Sequence, residues 1–319
     1  MALINKRLVL FFGAIAALLI TVLFLAGRPA APSESEREAV ATTIFPLYDI
    51  VRSIAPENID VIALLPPGSS PHTFEPNPST IKSLERSKVL FAIGHGCDDW
   101  IADLAAASDT PVVNGYSGLE LREYSEQGTH EHTHHEHAHE EGDDLGHHHH
   151  HGGTDPHYWL SMKNAIAMTA TITVELTANF PEYRDEITAR HNSLLGRLRD
   201  ADHQIRQMLE DIETRKMVTL HGAWYYFAEE YDLEIAATFE PSPGQEPTPQ
   251  YLAELEHTVK HAALKTIYSE PQLSTQSLEA FALDHGLDIA TLDPLGGTEG
   301  RENYIEMMLY NARTIAENQ

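Results

Sequence analysis

With 319 residues, of which 42% are apolar, the chain is long enough for one large or two medium domains with a substantial core. Its formal net charge of −27 argues against nucleic acid as a partner, because phosphate binding needs clustered Lys and Arg. Histidine is abundant at 20 residues, whereas the single Cys97 excludes an intramolecular disulfide and any cysteine-rich zinc finger. A bound metal would therefore need imidazole or carboxylate ligands.

The N-terminus has the features of an export segment. Lys6 and Arg7 precede an uncharged, mainly apolar run of 20 residues, 8–27, which is about the length of a membrane span. The basic flank predicts that the rest of the chain is exported. Arg28 stands where a lipoprotein signal needs a cysteine, so lipidation is not expected there. The sequence leaves open whether residues 1–27 are a cleaved signal peptide or an uncleaved anchor in contact with the membrane; residues 28–39 are a linker.

From Val40 onward, short apolar runs alternate with helical patterns. We predict strands at 41–44, 59–65 and 89–93, and helices at 47–54 and 79–87. Such alternation indicates a mostly parallel sheet, in which ligands bind at the carboxyl ends of the strands. His72 lies in a Pro-rich turn after the second of these strands, and His95 lies two residues after the third.

A histidine-rich segment interrupts this pattern. Residues 130–151 contain 11 histidines and 6 acidic residues but no Lys or Arg. Because almost nothing in this segment can enter a core, we predict a disordered loop over 122–154. Two H-E-x-x-H matches, at 130–134 and 135–139, lack the apolar helix face of a zinc protease and are attributed to composition. We interpret the loop as a flexible, low-affinity metal collector, with a solvated loop of no function as the alternative.

The second half of the chain repeats the alternation. A helix is predicted over 162–179, and a second helical pattern at 182–215, roughly 30 residues or about 45 Å, suits a strut between two domains. The further elements are strands at 217–220, 234–238, 266–269 and 288–292, and helices at 223–231, 249–262, 275–285 and 303–317. The predicted fold is α/β, with an N-terminal lobe at 40–180, a linking helix at 181–215 and a C-terminal lobe at 216–319.

Four candidate metal ligands lie at the ends of predicted strands or beside them. They are His72, His157, His221 and Asp293. Any one of them alone would be read as a structural or surface residue, but strand ends of two corresponding lobes would together line a cleft. Three imidazoles and one carboxylate form an acceptable tetrahedral site for Zn²⁺.

The motifs around these residues resemble the metal-specific solute-binding proteins of ABC importers, the zinc and manganese group. The similar segments follow family order over residues 40–316: Pro71–Pro76, Ile93–Gly96 with Trp100, Asp155–Leu160, His221–Ala223 with Tyr226 and Phe227, Glu246–Pro249, and Leu292–Gly296. The resemblance implies two α/β lobes joined by a long rigid helix, with the metal held between the lobes and passed to a membrane permease.

The resemblance also assigns metal-ligand roles to His72, His157, His221 and Asp293, with Glu270 or water as alternatives in the fourth position. A histidine at the third position is typical of the zinc members, whereas the manganese relatives have Glu there, in agreement with the preference of Zn²⁺ for imidazole and of Mn²⁺ for carboxylate. Glu270 is predicted to orient a ligand imidazole. His95 is expected at a helix start or in the core, and Cys97 is expected to be a packing residue.

We therefore expect a monomeric, extracytoplasmic zinc-binding protein that delivers Zn²⁺ to an ABC permease and has no catalytic activity. Three alternatives remain open. One is a manganese carrier of the same family, and another is a zinc hydrolase, because three histidines with an open fourth position are also a catalytic pattern. The third is a surface metal buffer or adhesin whose main functional part is the histidine-rich loop.

Overall fold

The computed structural model describes residues 38–123, 153–240 and 244–319. The predicted signal or anchor segment, most of the linker and loop residues 124–152 lie outside the described residues. Across the described part of the chain, no helix is long and apolar enough to cross a membrane.

The N-terminal part contains a parallel four-stranded sheet with the strand order β2-β1-β3-β4. Its elements are β1 (Ala39–Thr42), α1 (Phe45–Ile54), β2 (Asp60–Ala63), α2 (Pro78–Glu85), β3 (Ser87–Ala92), α3 (Ala102–Ser108) and β4 (Val112–Asn114). All four residues of β1 are buried, because this strand is paired on both sides and covered on both faces. Neither α3 nor β4 was predicted, since the first is an alanine-rich helix of seven residues and the second a strand of three.

The C-terminal part contains a second parallel sheet with the order β6-β5-β7-β8. Its elements are β5 (Lys216–Thr219), α6 (Tyr225–Glu230), β6 (Glu234–Thr238), α7 (Pro249–His261), β7 (Thr266–Ser269), α8 (Gln276–His285), β8 (Asp288–Thr291) and α9 (Tyr304–Asn318). In each sheet the first strand lies between the second and the third. The two sheets therefore have one topology, as the corresponding halves of the sequence predicted.

Two helices connect the sheets, α4 (Met162–Asn179) and α5 (Arg184–Met208). The first has the predicted bounds. The second has 25 residues, or about 38 Å, and is shorter than the predicted 182–215. It starts after a 3₁₀ turn at Pro181–Tyr183, and past its end the Arg215 guanidinium donates hydrogen bonds to the carbonyl oxygens of Leu209 and Glu210. A basic side chain thus satisfies carbonyl groups at the helix end, where further helical hydrogen bonds are missing.

The long helix α5 is packed rather than exposed. Its apolar face, Ile187, Leu194, Leu198 and Ile205, belongs to a hydrophobic core that contains side chains from both sheets. Hydrogen bonds also cross between the two parts of the molecule; for example, Trp159 Nε1 donates to Pro294 O at 2.8 Å, and Tyr304 Oη donates to Trp159 O at 2.6 Å. Such a shared core resists large changes in the angle between the lobes.

Candidate metal centre

His72 is presented by a short turn. The chain leaves β2 through Pro66, Pro67 and Pro71 and forms a 3₁₀ turn at Pro71–Thr73, which places the imidazole at the edge of the sheet. The ring is hydrogen bonded to the backbone of Gly96. This glycine has a φ of +83°, a backbone conformation that other residues rarely adopt. His72 is partly buried, so it lies nearer to solvent than the other two histidines described below.

His157 is held by its own local loop. The Asp155 carboxylate accepts two hydrogen bonds through Oδ1, one from the His157 backbone N–H at 3.0 Å and one from Nδ1 at 2.8 Å. Both residues are fully buried. The prediction that His157 lies beside a strand is wrong, because the residue precedes a 3₁₀ turn at Tyr158–Leu160 that leads into α4. The rigid Asp-Pro-His segment, rather than a strand, therefore positions the ring.

His221 comes from the C-terminal sheet. It lies two residues after β5, and its Nδ1 is 2.7 Å from Glu270 Oε1. Glu270 follows β7 directly and also accepts a hydrogen bond from Trp224 Nε1 at 3.1 Å. The predicted contact between Glu270 and a candidate ligand imidazole is thus present. Both carboxylates fix the tautomer of their histidine, since Nδ1–H donates and Nε2 keeps its lone pair.

The three imidazoles converge through their Nε2 atoms. The Nε2 atom of His157 is 3.3 Å from that of His72 and 3.4 Å from that of His221, and the three ligand atoms lie within 4.8 Å of one another. Zn–N bonds of about 2.0–2.1 Å place the nitrogens of a tetrahedral site about 3.3–3.4 Å apart. The two distances from His157 Nε2 thus equal the edge of a zinc coordination tetrahedron.

A small cavity lies against this cluster. Its volume is about 20 Å³, and the three histidines, Glu270 and Gln272 are among the residues that line it. A water molecule needs roughly 10–15 Å³ of such space. Beside the three nitrogens, the cavity therefore has room for about one water molecule and no room for an organic substrate.

The electrostatic environment separates His72 from His221. Burial, together with the neighbouring His157 and His221, lowers the pKa of His72 to about 3. For His221 burial acts in the same direction, but the Glu270 carboxylate outweighs it and raises the pKa. Neutral imidazole is the form that binds metal, so His72 is in a binding-competent form over the whole physiological range, whereas a metal ion would have to displace a proton from His221.

Asp293 lies outside the cluster that the other three candidate ligands form. It is fully buried two residues after β8, where Oδ1 accepts hydrogen bonds from the backbone N–H groups of Leu295 and Gly296 and from Gln272 Nε2 at 2.8 Å. The other oxygen, Oδ2, is 3.4 Å from Arg301 Nε. Asp293 is not among the residues whose candidate ligand atoms lie within 4.8 Å of one another, and it does not line the cavity, so its role as the fourth ligand stays a prediction that this geometry does not support.

Other residues near the cluster were missed or misplaced from the sequence. The contact between Asp155 and the His157 ring was not predicted, although an acidic residue two positions before a candidate ligand is a usable signal for a carboxylate that orients the imidazole. Glu240 is buried close to His221 and accepts a hydrogen bond from Gly244 N at 2.7 Å. The expectation of a core or helix-start position for His95 is wrong, because this residue is exposed and packs against the Tyr116 ring. Cys97 is buried in the core, as predicted.

Two α/β lobes with a three-histidine cluster between them define a metal-binding solute-binding protein. The chain belongs to the family described as zinc-uptake complex component A, periplasmic (ZnuA), whose family model matches residues 40–318. It is 28% identical over 299 residues to the high-affinity zinc uptake system protein ZnuA of Bacillus subtilis, with 91% of this chain and 90% of that protein covered.

Two further similarities agree with this assignment. The chain is 27% identical over 286 residues to the zinc-binding protein AdcA of Streptococcus pyogenes serotype M3, which covers 86% of this chain and 55% of AdcA. It thus spans about half the length of these AdcA relatives. A crystal structure of ZnuA superposes with a TM-score of 0.74 at 26% identity, with 89% of this chain and 99% of that chain covered.

Proposed function

We propose that this protein captures Zn²⁺ outside the cytoplasm and delivers it to an ABC permease, with His72, His157 and His221 as ligands. The observation that carries the proposal is the convergence of three Nε2 atoms, with that of His157 3.3 Å from His72 and 3.4 Å from His221, beside a cavity of about 20 Å³. Imidazole ligands with carboxylate partners are the usual surroundings of zinc in proteins.

For the fourth position we propose a water molecule. Gln272 lines the cavity and donates its Nε2 to Asp293, and among the described residues its Oε1 has no hydrogen-bond partner. An amide oxygen at that place can accept a hydrogen bond from a metal-bound water. Asp293 then acts on the site through Gln272, rather than as a ligand.

The same contacts support the choice between the alternatives. Manganese favours oxygen ligands, whereas the carboxylates of Asp155 and Glu270 contact the Nδ1 atoms of His157 and His221 on the side away from the cluster. A hydrolase would need space for a substrate beside the ion, and the cavity offers space for one water. We therefore propose a carrier without catalytic activity, with domain limits at 40–180, 181–215 and 216–319, and with residues 1–27 as its signal peptide or anchor.

The direct test is calorimetry with zinc on the wild type and on His157→Ala. We expect the variant to lose the tight site, while His203→Ala, which changes an exposed histidine of α5, keeps it. An unchanged tight site in His157→Ala would refute the ligand assignment. Protein purified without an affinity resin should contain zinc, and manganese as its only metal would overturn the choice of ion.

A second experiment separates the carrier from a surface metal buffer. A variant without residues 130–151 should keep the tight site and lose weak sites only. If the deletion removed nearly all zinc capacity, the histidine-rich loop would be the main functional part of the protein. Delivery itself is tested by zinc-dependent stimulation of ATP hydrolysis by the reconstituted permease.

A further inference from the structure

A second pair of histidines lies on the surface of the C-terminal lobe, on helix α7. His257 and His261 are both exposed and are four residues apart, so they project from the same face of the helix. Their ring centroids are 6.0 Å apart, and the ring planes differ by 17°. The two imidazoles therefore lie side by side with their edges open to solvent.

The distance between the ring centroids of His257 and His261 equals that between two of the histidines in the cleft. The ring centroids of His72 and His221 are also 6.0 Å apart, and those two residues belong to the cluster whose ligand atoms lie within 4.8 Å of one another. The rings in the cleft are turned toward each other, with 78° between their planes. A rotation of the exposed side chains of His257 and His261 would bring one nitrogen of each ring to the ~3.3 Å separation of a shared zinc ion.

The charges around the pair favour a cation. His261 is the last residue of α7, where the carbonyl end of the helix carries partial negative charge. Glu254 is exposed three residues before His257 on the same face, with its Oε1 atom 3.2 Å from Gln250 Nε2. The nearest lysine in sequence, Lys260, forms an ion pair with Glu256, which offsets its positive charge.

We propose that His257 and His261 form a second zinc site, weaker than the one in the cleft, with water or Glu254 in the remaining positions. Two imidazoles suit Zn²⁺, and also Cu²⁺ or Ni²⁺, whereas they are poor ligands for Ca²⁺ or Mg²⁺. The site needs no movement of the lobes and no residue of the cleft. It therefore stands or falls independently of the carrier function.

The test is chemical footprinting of the full chain with diethyl pyrocarbonate, which modifies the free nitrogen of an imidazole. Free zinc is set by a chelator buffer, so that the histidine-rich segment does not change it. Mass spectrometry of the peptide that contains both residues should show His257 and His261 protected together, at zinc concentrations above those that fill the cleft. His203, which has no histidine four residues away, serves as the internal control and should stay reactive.

Two variants sharpen the result. In His261→Ala, zinc should no longer protect His257, and the tight site measured by calorimetry should be unchanged. In His203→Ala, protection of the pair should persist. Modification of His257 at an equal rate with and without zinc would overturn the proposal, as would protection that survives in His261→Ala. Protection that appears only at high protein concentration would also overturn it, because zinc would then bridge two molecules.

Discussion

The three histidines of the cleft are held in two different ways. His157 and His221 are fully buried, and each has its Nδ1 atom within 2.8 Å of a buried carboxylate oxygen. His72 is partly exposed, lies on a short turn and is hydrogen bonded to the backbone of Gly96 instead. A carboxylate partner raises the basicity of its imidazole and fixes its orientation, whereas a carbonyl partner fixes orientation with little electrostatic gain. On the proposed assignment, the site has two ligands with carboxylate partners, one from each lobe, and a third ligand that covers it from the solvent side.

The largest expected effect is the loss of zinc affinity when a proposed ligand is replaced, and it can be separated from the loss of folding stability. Both His221→Ala and His72→Ala remove a ligand and should weaken zinc binding by more than the 10–100-fold typical of losing an orienting partner. Only His221→Ala leaves a buried carboxylate, Glu270, without its imidazole partner. In the presence of a chelator, urea unfolding should therefore show a loss of about 1–3 kcal/mol for this variant and little change for His72→Ala. Equal losses of stability in the two variants would contradict the distinction between a histidine with a carboxylate partner and one with a backbone partner.

The next effect concerns the carboxylates themselves. Asp155→Asn and Glu270→Gln keep the shape of the side chain and remove its charge, so each should weaken zinc binding by about 10–100-fold. Glu240→Gln is the matched control, because Glu240 is buried close to His221 but accepts a hydrogen bond from Gly244 N and none from a histidine ring that the structure describes. Competition titration with a zinc chelator measures all three. A larger loss in Glu240→Gln than in Glu270→Gln would show that charge near the site matters more than contact with Nδ1.

The parts of this site that were predictable from the sequence are those encoded locally. His72, His157 and His221 each lie in a short Pro- or Gly-containing segment, and the alternation of apolar runs indicated two parallel sheets. Each of these signals depends on residues that are close along the chain. The helix α3 and the strand β4 gave no such signal, because an alanine-rich run has almost no periodicity and three residues are too few to show alternation.

The position of Asp293 could not be predicted in the same way. Its location two residues after a strand resembles that of a ligand, but besides the nearby backbone N–H groups it contacts two side chains from other segments. Gln272 reaches it from the loop after β7, and Arg301 lies 3.4 Å from its second oxygen. Nothing in the sequence pattern around Asp293 indicates that the side chains of Gln272 and Arg301 contact its carboxylate. Tertiary contacts therefore determine the position of Asp293, the one candidate ligand that the structure does not bring into the cluster.

The difference in pKa between His221 and His72 predicts the pH dependence of binding. The raised pKa of His221 means that its proton competes with zinc already above the ordinary value of 6.5, whereas His72, with a pKa of about 3, stays neutral. Zinc affinity should fall by about tenfold per pH unit below the folded-state pKa of His221, as one proton is displaced. The apo protein should show the opposite trend for the His221–Glu270 pair, whose stabilisation is fully present below pH 6.5 and is lost as pH rises through the folded pKa.

Affinity measured between pH 5.5 and 8.5, together with ring NMR spectra of the apo protein, tests this prediction. Glu270→Gln should move the onset of the affinity loss to lower pH, because the carboxylate is what raises the pKa. An His72 ring that titrates near 6.5 would contradict the assignment of its environment. Affinity that stays constant down to 6.5 in the wild type would contradict the assignment for His221.

The smallest expected effect tests how His157 and His221, the two proposed ligands with carboxylate partners, are kept aligned with each other. Tyr226, five residues after His221, accepts a hydrogen bond from Arg122 N at 2.8 Å and donates one to Asp155 O at 3.1 Å. Tyr226 thus connects α6, the helix that follows His221, to the backbone of Asp155, whose carboxylate orients His157. Tyr226→Phe keeps the ring and removes both bonds, which should cost about 1 kcal/mol, or roughly fivefold in zinc affinity.

This loss should appear as faster zinc dissociation with an unchanged association rate, because the ligands themselves are intact. Tyr225→Phe is the control, since its ring keeps the contact with the Arg122 guanidinium, 4.3 Å from the ring centroid. If both variants released zinc at the wild-type rate, the Tyr226 hydroxyl would have no part in aligning His157 with His221. In that case the shared hydrophobic core alone would hold the two carboxylate-supported ligands together.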